Sequence, residues 1–398
     1  MSTHFDPDQA VSADRQQPTK KRPVSGRIPR EVERTIPVHP GELLRDELAV
    51  RGMTQADLAA RSGLSTKHVN QVLQGSSSMS ADVAVALEII LGLPAVVWAT
   101  MDAHWQQHRS WGRARDRFAT DMKWAQKFPI QEMVRRDLLN GSEKGPALVE
   151  ALLGLFRVAD PAAFQRVWVD AIAGFRRAQH LDVDSYATAT WLLLGELQTT
   201  SHTLSNFSVT KLRSAVSKIQ PLTRLPVAEG FLRAREILAS CGVALAFVED
   251  IPGGRNSGAT WWPSPHRALI VLTPRYRKID SFWFSLFHEI GHLLLHPRRT
   301  AFIELNLKTG DNVDGSETEA DDFAAEALIP QSYNDIIINA SRSDLVNIAE
   351  SLGVAISIVA GRRGQLSGNW AEVQRLRDTV DVDALTAAAV GELDQERD

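Results

Sequence analysis

The sequence predicts a multidomain, mainly α-helical protein. Its expected parts are an N-terminal all-α helix-turn-helix domain, a helical connector, and a C-terminal α+β domain built around one buried helix. Three observations predict this. From Ile36 to His108 apolar residues recur at helical spacing with short connections, and Ala59, Gly63 and Val69 stand four and six residues apart. From Gly242 the period changes, and Val243, Leu245 and Phe247 alternate as a strand. Finally, Phe287 to Pro297 carries His-Glu-x-x-His within a segment that is apolar on nearly every face.

Composition bounds the reading. At 398 residues the chain has room for two or three domains, and 44% hydrophobic and 23% charged content are ordinary for a globular protein. A net charge of -4 gives no global basic footprint, so any nucleic-acid surface must be local. The single cysteine, Cys241, excludes an internal disulfide and a cysteine-rich zinc site, and reads as a small core residue. The N-terminus lacks the apolar core of a signal peptide, and no uncharged apolar run reaches membrane-spanning length. The expectation is a cytoplasmic protein with no membrane partner.

Residues 1–35 are polar and without periodicity, which predicts a disordered arm. Lys20, Lys21, Arg22, Arg27 and Arg30 have no acid between them, which suits either DNA phosphates or a solvated linker.

Residues 36–108 form the expected helix-turn-helix domain. Thr54 to Asp57 is a capping-box-like helix start, with Asp in place of the usual Glu. Ala59 allows a close helix crossing, Gly63 makes the turn and Val69 locks the second helix. Ser65 to Leu73 is then the recognition helix. Val69, Val72 and Leu73 face inward, and Thr66, Lys67, Asn70 and Gln71 face outward, able to pair with base edges or phosphates. With Gln55 they are the candidate DNA contacts. The helix after Pro94, with Val96, Val97, Trp98 and Trp105, is a candidate dimer contact.

Residues 109–226 read as amphipathic helices forming a connector, with Trp124, Trp168 and Trp191 as core. Arg109, Arg113, Arg115, Arg117 and Lys123 make a solvated basic face.

Residues 227–340 carry the chemistry. Asp280 and Ser281 are expected to cap the motif helix and Pro297 to end it. At i and i+4, His288 and His292 share one face and can reach one zinc ion, with Glu289 placed to take a proton from metal-bound water. A second helix has Ala320, Phe323, Ala324, Ala327 and Leu328 on its apolar face and Glu319 near its start. Two histidines and a glutamate, with one open position, suit hydrolytic zinc. Ser257, Gly258 and Ala259 begin the candidate sheet edge for an extended substrate peptide. His296, Tyr276 and Tyr333 are alternative oxyanion stabilisers.

Residues 341–398 form a helical lobe and acidic tail. Ala349, Gly353 and Val359 repeat the four-and-six spacing, but Ala355, Ser357 and Ala360 have little capacity to read bases. A structural or partner-binding lobe is expected, with Arg362 and Arg363 keeping a DNA contact open and the chain beyond Asp378 fraying.

Two resemblances extend this reading. His-Glu-x-Gly-His-x-x-x-His, followed by Glu-x-Glu-Ala-x-x-Phe-Ala-x-x-x-Leu-x-Pro, resembles the ImmA/IrrE metallo-endopeptidases. That resemblance implies a zincin-like fold, His288, His292 and Glu319 as zinc ligands with Glu317 as the alternative third ligand, and Glu289 as general base. Some members of that family cleave a DNA-bound repressor. Val38-His39-Pro40-Gly41-Glu42-Leu43-Leu44 and Leu73-Gln74-Gly75 resemble the HigA-type antidotes among the Cro/lambda-repressor-like (XRE) domains. This implies an antitoxin or autorepressor that binds double-stranded operator DNA as a homodimer. The leading expectation is a DNA-binding regulator carrying a zinc endopeptidase that cleaves a regulatory protein. The alternative is a non-proteolytic antitoxin, with a cognate toxin as partner and a structural or regulatory zinc domain.

Overall fold

A computed structural model describes residues 37–170, 172, 184–254, 256–264, 266–274, 276–296 and 313–395. The expected basic arm, residues 1–35, lies outside the described residues.

The N-terminal domain is a set of helices, α1 (Pro40–Val50), α2 (Gln55–Ser62), α3 (Thr66–Gln74), α4 (Ala81–Leu91) and α5 (Ala95–Thr120). Its first turn follows from local chemistry. Thr54 and Asp57 form a reciprocal capping box, and Gly63 ends α2 at φ 72, a left-handed conformation that favours glycine. Ser65 then caps α3. Leu44, Leu58, Val69, Leu87 and Trp98 close the core. The Val38–Leu44 and Leu73–Gly75 segments meet in space. His39 Nδ1 accepts from Gly41 N at 2.9 Å, Arg45 Nη2 donates to Leu73 O at 3.3 Å, and a side chain at Gly75 would collide with the His39 ring. The first helix is thereby locked to the end of the third.

The helix α5 does not stop at residue 108. It runs for 26 residues, with Trp98 in the first core and Phe118 in a second. The second core lies against a sheet of β1 (Val243–Phe247), β2 (Gly258–Ser264) and β3 (Arg267–Leu272), in the order β1-β3-β2. β1 pairs with β3 in parallel and β2 with β3 antiparallel. Ala244, Ala246, Leu269 and Val271 face α6 (Pro146–Leu155) and α7 (Ser185–Gln198) in one core. Val243, Leu245, Ile270 and Leu272 face α8 (Val209–Ile219), α9 (Val227–Ser240) and the motif helix in another. Every residue of β1 is buried, because both faces of the sheet are covered.

Helices α6 and α7, from the stretch read as a connector, thus form a structural layer over one face of the sheet, while α8 packs on the other. Gly195 of α7 is the point of closest approach: a Cβ there would lie 2.5 Å from Val271 Cγ2. Trp191 Nε1 donates to Val248 O at 3.0 Å, and Trp168 stacks on Trp261 at 5.2 Å. The three tryptophans read as core are buried.

Around the other face run α10 (Ile279–Leu295), α11 (Val313–Leu328), α12 (Arg342–Leu352), α13 (Ile356–Ser367) and α14 (Val382–Gln395). The repeated spacing does make a helix-turn-helix, with Gly353 at φ 68. Its second helix, α13, is buried along Ser357, Ile358, Val359 and Ala360. Arg362 donates to Ala325 O and Ile329 O at 2.6 and 2.8 Å, satisfying carbonyls at the end of α11. Arg363 does the same for Ile337 O and Ala340 O. These cations are spent on helix ends, which removes the DNA contact they had kept open. The tail does not fray from Asp378 either. Ile279 N donates to Asp378 O at 3.1 Å, Val380 N donates to Arg277 O at 3.0 Å, and Leu385 and Ala389 of α14 are buried in the core. Among the described residues, no helix is long and apolar enough to cross a membrane.

Candidate metal centre and nucleic-acid interface

The motif helix α10 begins differently from expectation. Its N-cap position is Lys278, whose side chain does not cap the helix but donates to Arg377 O at 2.7 Å, and Asp280 forms an ion pair of 2.8 Å with Arg377. A backbone bridge between Lys278 and Thr379 supplies the tether that a capping side chain would give elsewhere. Phe282, Trp283, Leu286, Phe287 and Ile290 bury the helix, leaving His288 and His292 toward the crossing partner α11 and Glu289 toward the sheet.

His288 Nε2 and His292 Nε2 lie 2.9 Å apart. Glu317 places Oε2 at 3.3 Å from the first and Oε1 at 3.4 Å from the second. A tetrahedral ion with Zn–N bonds of about 2.0–2.1 Å has ligand atoms about 3.3 Å from one another. Two imidazole nitrogens and a carboxylate converging at this scale fit a zinc-type ion, with one position left open.

The expected ligand Glu319 is not part of this cluster. Its side chain is 65% exposed, and Oε2 sits 3.8 Å from His296 Nδ1. The reason is the helix crossing. A Cβ at Gly291 would lie 3.2 Å from Ala320 Cα, so α10 and α11 touch at Gly291 and Ala320. On a helix centred at Ala320, Glu317 and Asp321 fall on one flank and Glu319 on the other. The carboxylate facing the histidines is therefore Glu317, the alternative ligand.

Glu289 is 2% exposed and points to the sheet. Thr260 Oγ1 donates to Glu289 Oε2 at 2.8 Å and to its backbone O at 3.2 Å. A Cβ at Gly258 would lie 2.7 Å from Glu289 Oε1, so only glycine leaves room for that oxygen. Burial pushes the Glu289 carboxyl up from its ordinary range, while His292, His288 and the Thr260 hydroxyl restrain the shift. Burial pulls His288 down, but the carboxylates of Asp321 and Glu317 outweigh it and hold its pKa at about 10 without metal. Glu317 is raised by burial, yet its hydrogen bonds to His288 and His292 bring it to about 2. The centre thus pairs a protonated His288 with an ionised Glu317, and a cation binding between them would displace the imidazole proton.

Of the expected substrate residues, the structure brings Gly258 against Glu289. Ser257 lines a shallow depression with Thr273, Tyr276, Ser281 and Ser285. Ala259 points away, into the core on the α7 side. The edge position expected for this strand is observed. Tyr276 is exposed, Tyr333 packs on the core, and His296 Nε2 lies 2.9 Å from Ser316 O. Two residues were missed in the sequence. Thr260 shares the face of Gly258 by strand alternation, and Asp321 lies one turn from Glu317; both signals become legible only once Gly258 and Glu317 are identified.

At the other end, Gln55, Thr66, Lys67 and Asn70 are exposed and Gln71 is half-buried, while Val69, Val72 and Leu73 are buried. The expected dimer contact is mostly internal: Trp98 is fully buried and Trp105 packs edge-on against His39 at 5.0 Å. Val96 is exposed, as are Val85 and Ile89.

The two sites define a class, a helix-turn-helix DNA-binding domain joined to a zincin-like metallopeptidase domain. Residues 44–98 match the family model described as helix-turn-helix, and residues 245–362 match the IrrE N-terminal-like domain, a metallopeptidase family. The chain is a fusion of these two kinds of domain. No curated protein and no solved structure matches it.

Proposed function

We propose that this chain is a DNA-binding repressor whose zinc-dependent endopeptidase domain cleaves a regulatory protein. The observation that carries the reading is the convergence of His288, His292 and Glu317 beside the buried Glu289, in one chain with the polar face of α3.

His288, His292 and Glu317 would hold the ion. Bound zinc supplies a Lewis acid for the scissile carbonyl and an acidified water. The protein supplies the rest. Glu289, buried and raised in pKa, would take a proton from that water and pass it to the leaving amine, with the bare backbone of Gly258 leaving room for one of its oxygens. Thr260 holds the other oxygen. As an edge strand, β2 would offer its outer edge to an extended peptide by strand addition. Thr66, Lys67, Asn70 and Gln71, with Gln55, read operator DNA, and two copies on two half-sites give a homodimeric repressor of antitoxin type.

The deciding experiment is a promoter reporter under inducing stress or toxin expression, comparing the wild type with Glu289→Gln. The variant keeps the ligands and the DNA-binding domain but loses the base. It should bind DNA normally and fail to derepress. Equal derepression by both proteins would show that proteolysis is not the switch and leave a non-proteolytic antitoxin.

A further inference from the structure

We propose that Asp321 is a positioning residue that fixes the tautomer of His288 and thereby sets the metal affinity of the centre; this rests on the metal-centre reading above. The two ring nitrogens of His288 have different neighbours. Nε2 faces His292 Nε2 at 2.9 Å and Glu317 Oε2 at 3.3 Å. Nδ1, on the other side of the ring, lies 2.8 Å from Asp321 Oδ1. That placement excludes Asp321 from the ligand set, since its carboxylate meets the nitrogen that faces away from the convergence point.

The chemistry fixes what the contact does. An ionised carboxylate only accepts hydrogen bonds, so Nδ1 must carry the proton. A neutral imidazole has one N–H, and placing it on Nδ1 leaves the Nε2 lone pair for the cation. The opposite tautomer would put a proton where the ion must bind and set a lone pair against a carboxylate oxygen. Asp321 and Glu317 stand four residues apart on α11, so one helix face supplies both a ligand and the group orienting the partner ligand. Asp321 is 58% exposed while His288 is 12% exposed, so its role does not lie in core packing.

The test strips the full-length protein with a chelator and titrates Zn2+ against a chromophoric competitor. Asp321→Ala should weaken zinc binding by about 10–100-fold, the usual range for losing such a partner. Asp321→Asn, whose amide oxygen still accepts from Nδ1–H, should recover most of the affinity. Asp322→Ala removes the same charge one residue along the exposed face and should bind like the wild type. The proposal is overturned if Asp321→Ala binds normally, if Asp322→Ala weakens equally, or if Asp321→Asn is as weak as Asp321→Ala. A wild-type protein that takes up no zinc would instead sink the metal-centre reading.

Discussion

Thr260 and Glu289 are joined by a hydrogen bond of 2.8 Å that ties the sheet's edge strand to its motif helix. The strand proposed to receive a peptide and the carboxylate proposed to move the proton are thus one mechanical unit. Thr260 fixes one carboxyl oxygen, and the bare backbone of Gly258 leaves space at the other.

The two glutamates of Glu317-Thr318-Glu319 should separate cleanly. Glu317→Gln should lose tightly bound zinc, because its oxygens span both histidines at 3.3 and 3.4 Å. Glu319→Gln should retain about one ion per chain by elemental analysis, as expected for a single three-ligand site. The reverse pattern would reject the crossing geometry at Gly291.

The charge state of the metal-free centre makes a pH prediction. His288 stands at about 10 when folded, against about 6.5 for an unperturbed histidine. Its contribution to stability is therefore fully present below about pH 6.5 and is lost as pH rises through about 10. The melting temperature of metal-free protein should fall across that window, and His288→Gln should lack that component. Zinc must displace the same proton, so apparent affinity should climb with pH over the same range. Glu317, at about 2, acts oppositely. Its contribution is present above about pH 4.5 and lost as pH falls toward about 2. Identical alkaline melting profiles for wild type and His288→Gln would contradict the ion-paired state.

On DNA, Asn70→Ala should cost about 1–3 kcal/mol and relax specificity at one base position, if it makes a bidentate base contact. Lys67→Ala should weaken binding across sequences and reduce the salt slope by about one. Electrophoretic or anisotropy titrations at several salt concentrations distinguish the two. Both residues are exposed on α3, so neither change should lower the melting temperature appreciably.

The layer over the sheet can be probed at its tightest point. Gly195→Ala drives a methyl into Val271 and should destabilise the protein by about 1–3 kcal/mol, the usual cost of overpacking. Gly154→Ala, in α6 with nothing within 4 Å, should be neutral or stabilising by up to about 1 kcal/mol. Equal responses in denaturant unfolding would argue against residues 109–226 forming part of the core.

Local signals carried the recognition helix and the His-Glu-x-x-His helix. Capping boxes, a left-handed glycine and four-residue spacing act within one or two turns. What stayed hidden depends on contacts across long sequence separations. The choice of Glu317 over Glu319 follows from Gly291 meeting Ala320, which no periodicity in either helix reveals. Asp280 looked like a cap because its partner, Arg377, lies 97 residues away. Trp98 and Trp105 resembled an interface for the same reason: large aromatic residues on one helix suit a core or a partner, and the N-terminal core takes Trp98 while His39 takes Trp105. Residues 109–226 showed amphipathic helices, but not that a sheet begun at Val243 would complete their apolar faces.

The uninterrupted helix α5 has a consequence for signalling. Its 26 residues make a rod of about 39 Å at 1.5 Å per residue, with one end in each of two cores. The angular setting of the DNA-reading head against the sheet is thus a matter of helical phase. One residue inserted in the exposed stretch before Trp111 would turn the head by about 100°, whereas seven would nearly restore its bearing while displacing it by about 10 Å. If repression depends on that bearing, it should fail with one added residue and return with seven, a periodicity that a flexible tether would never show.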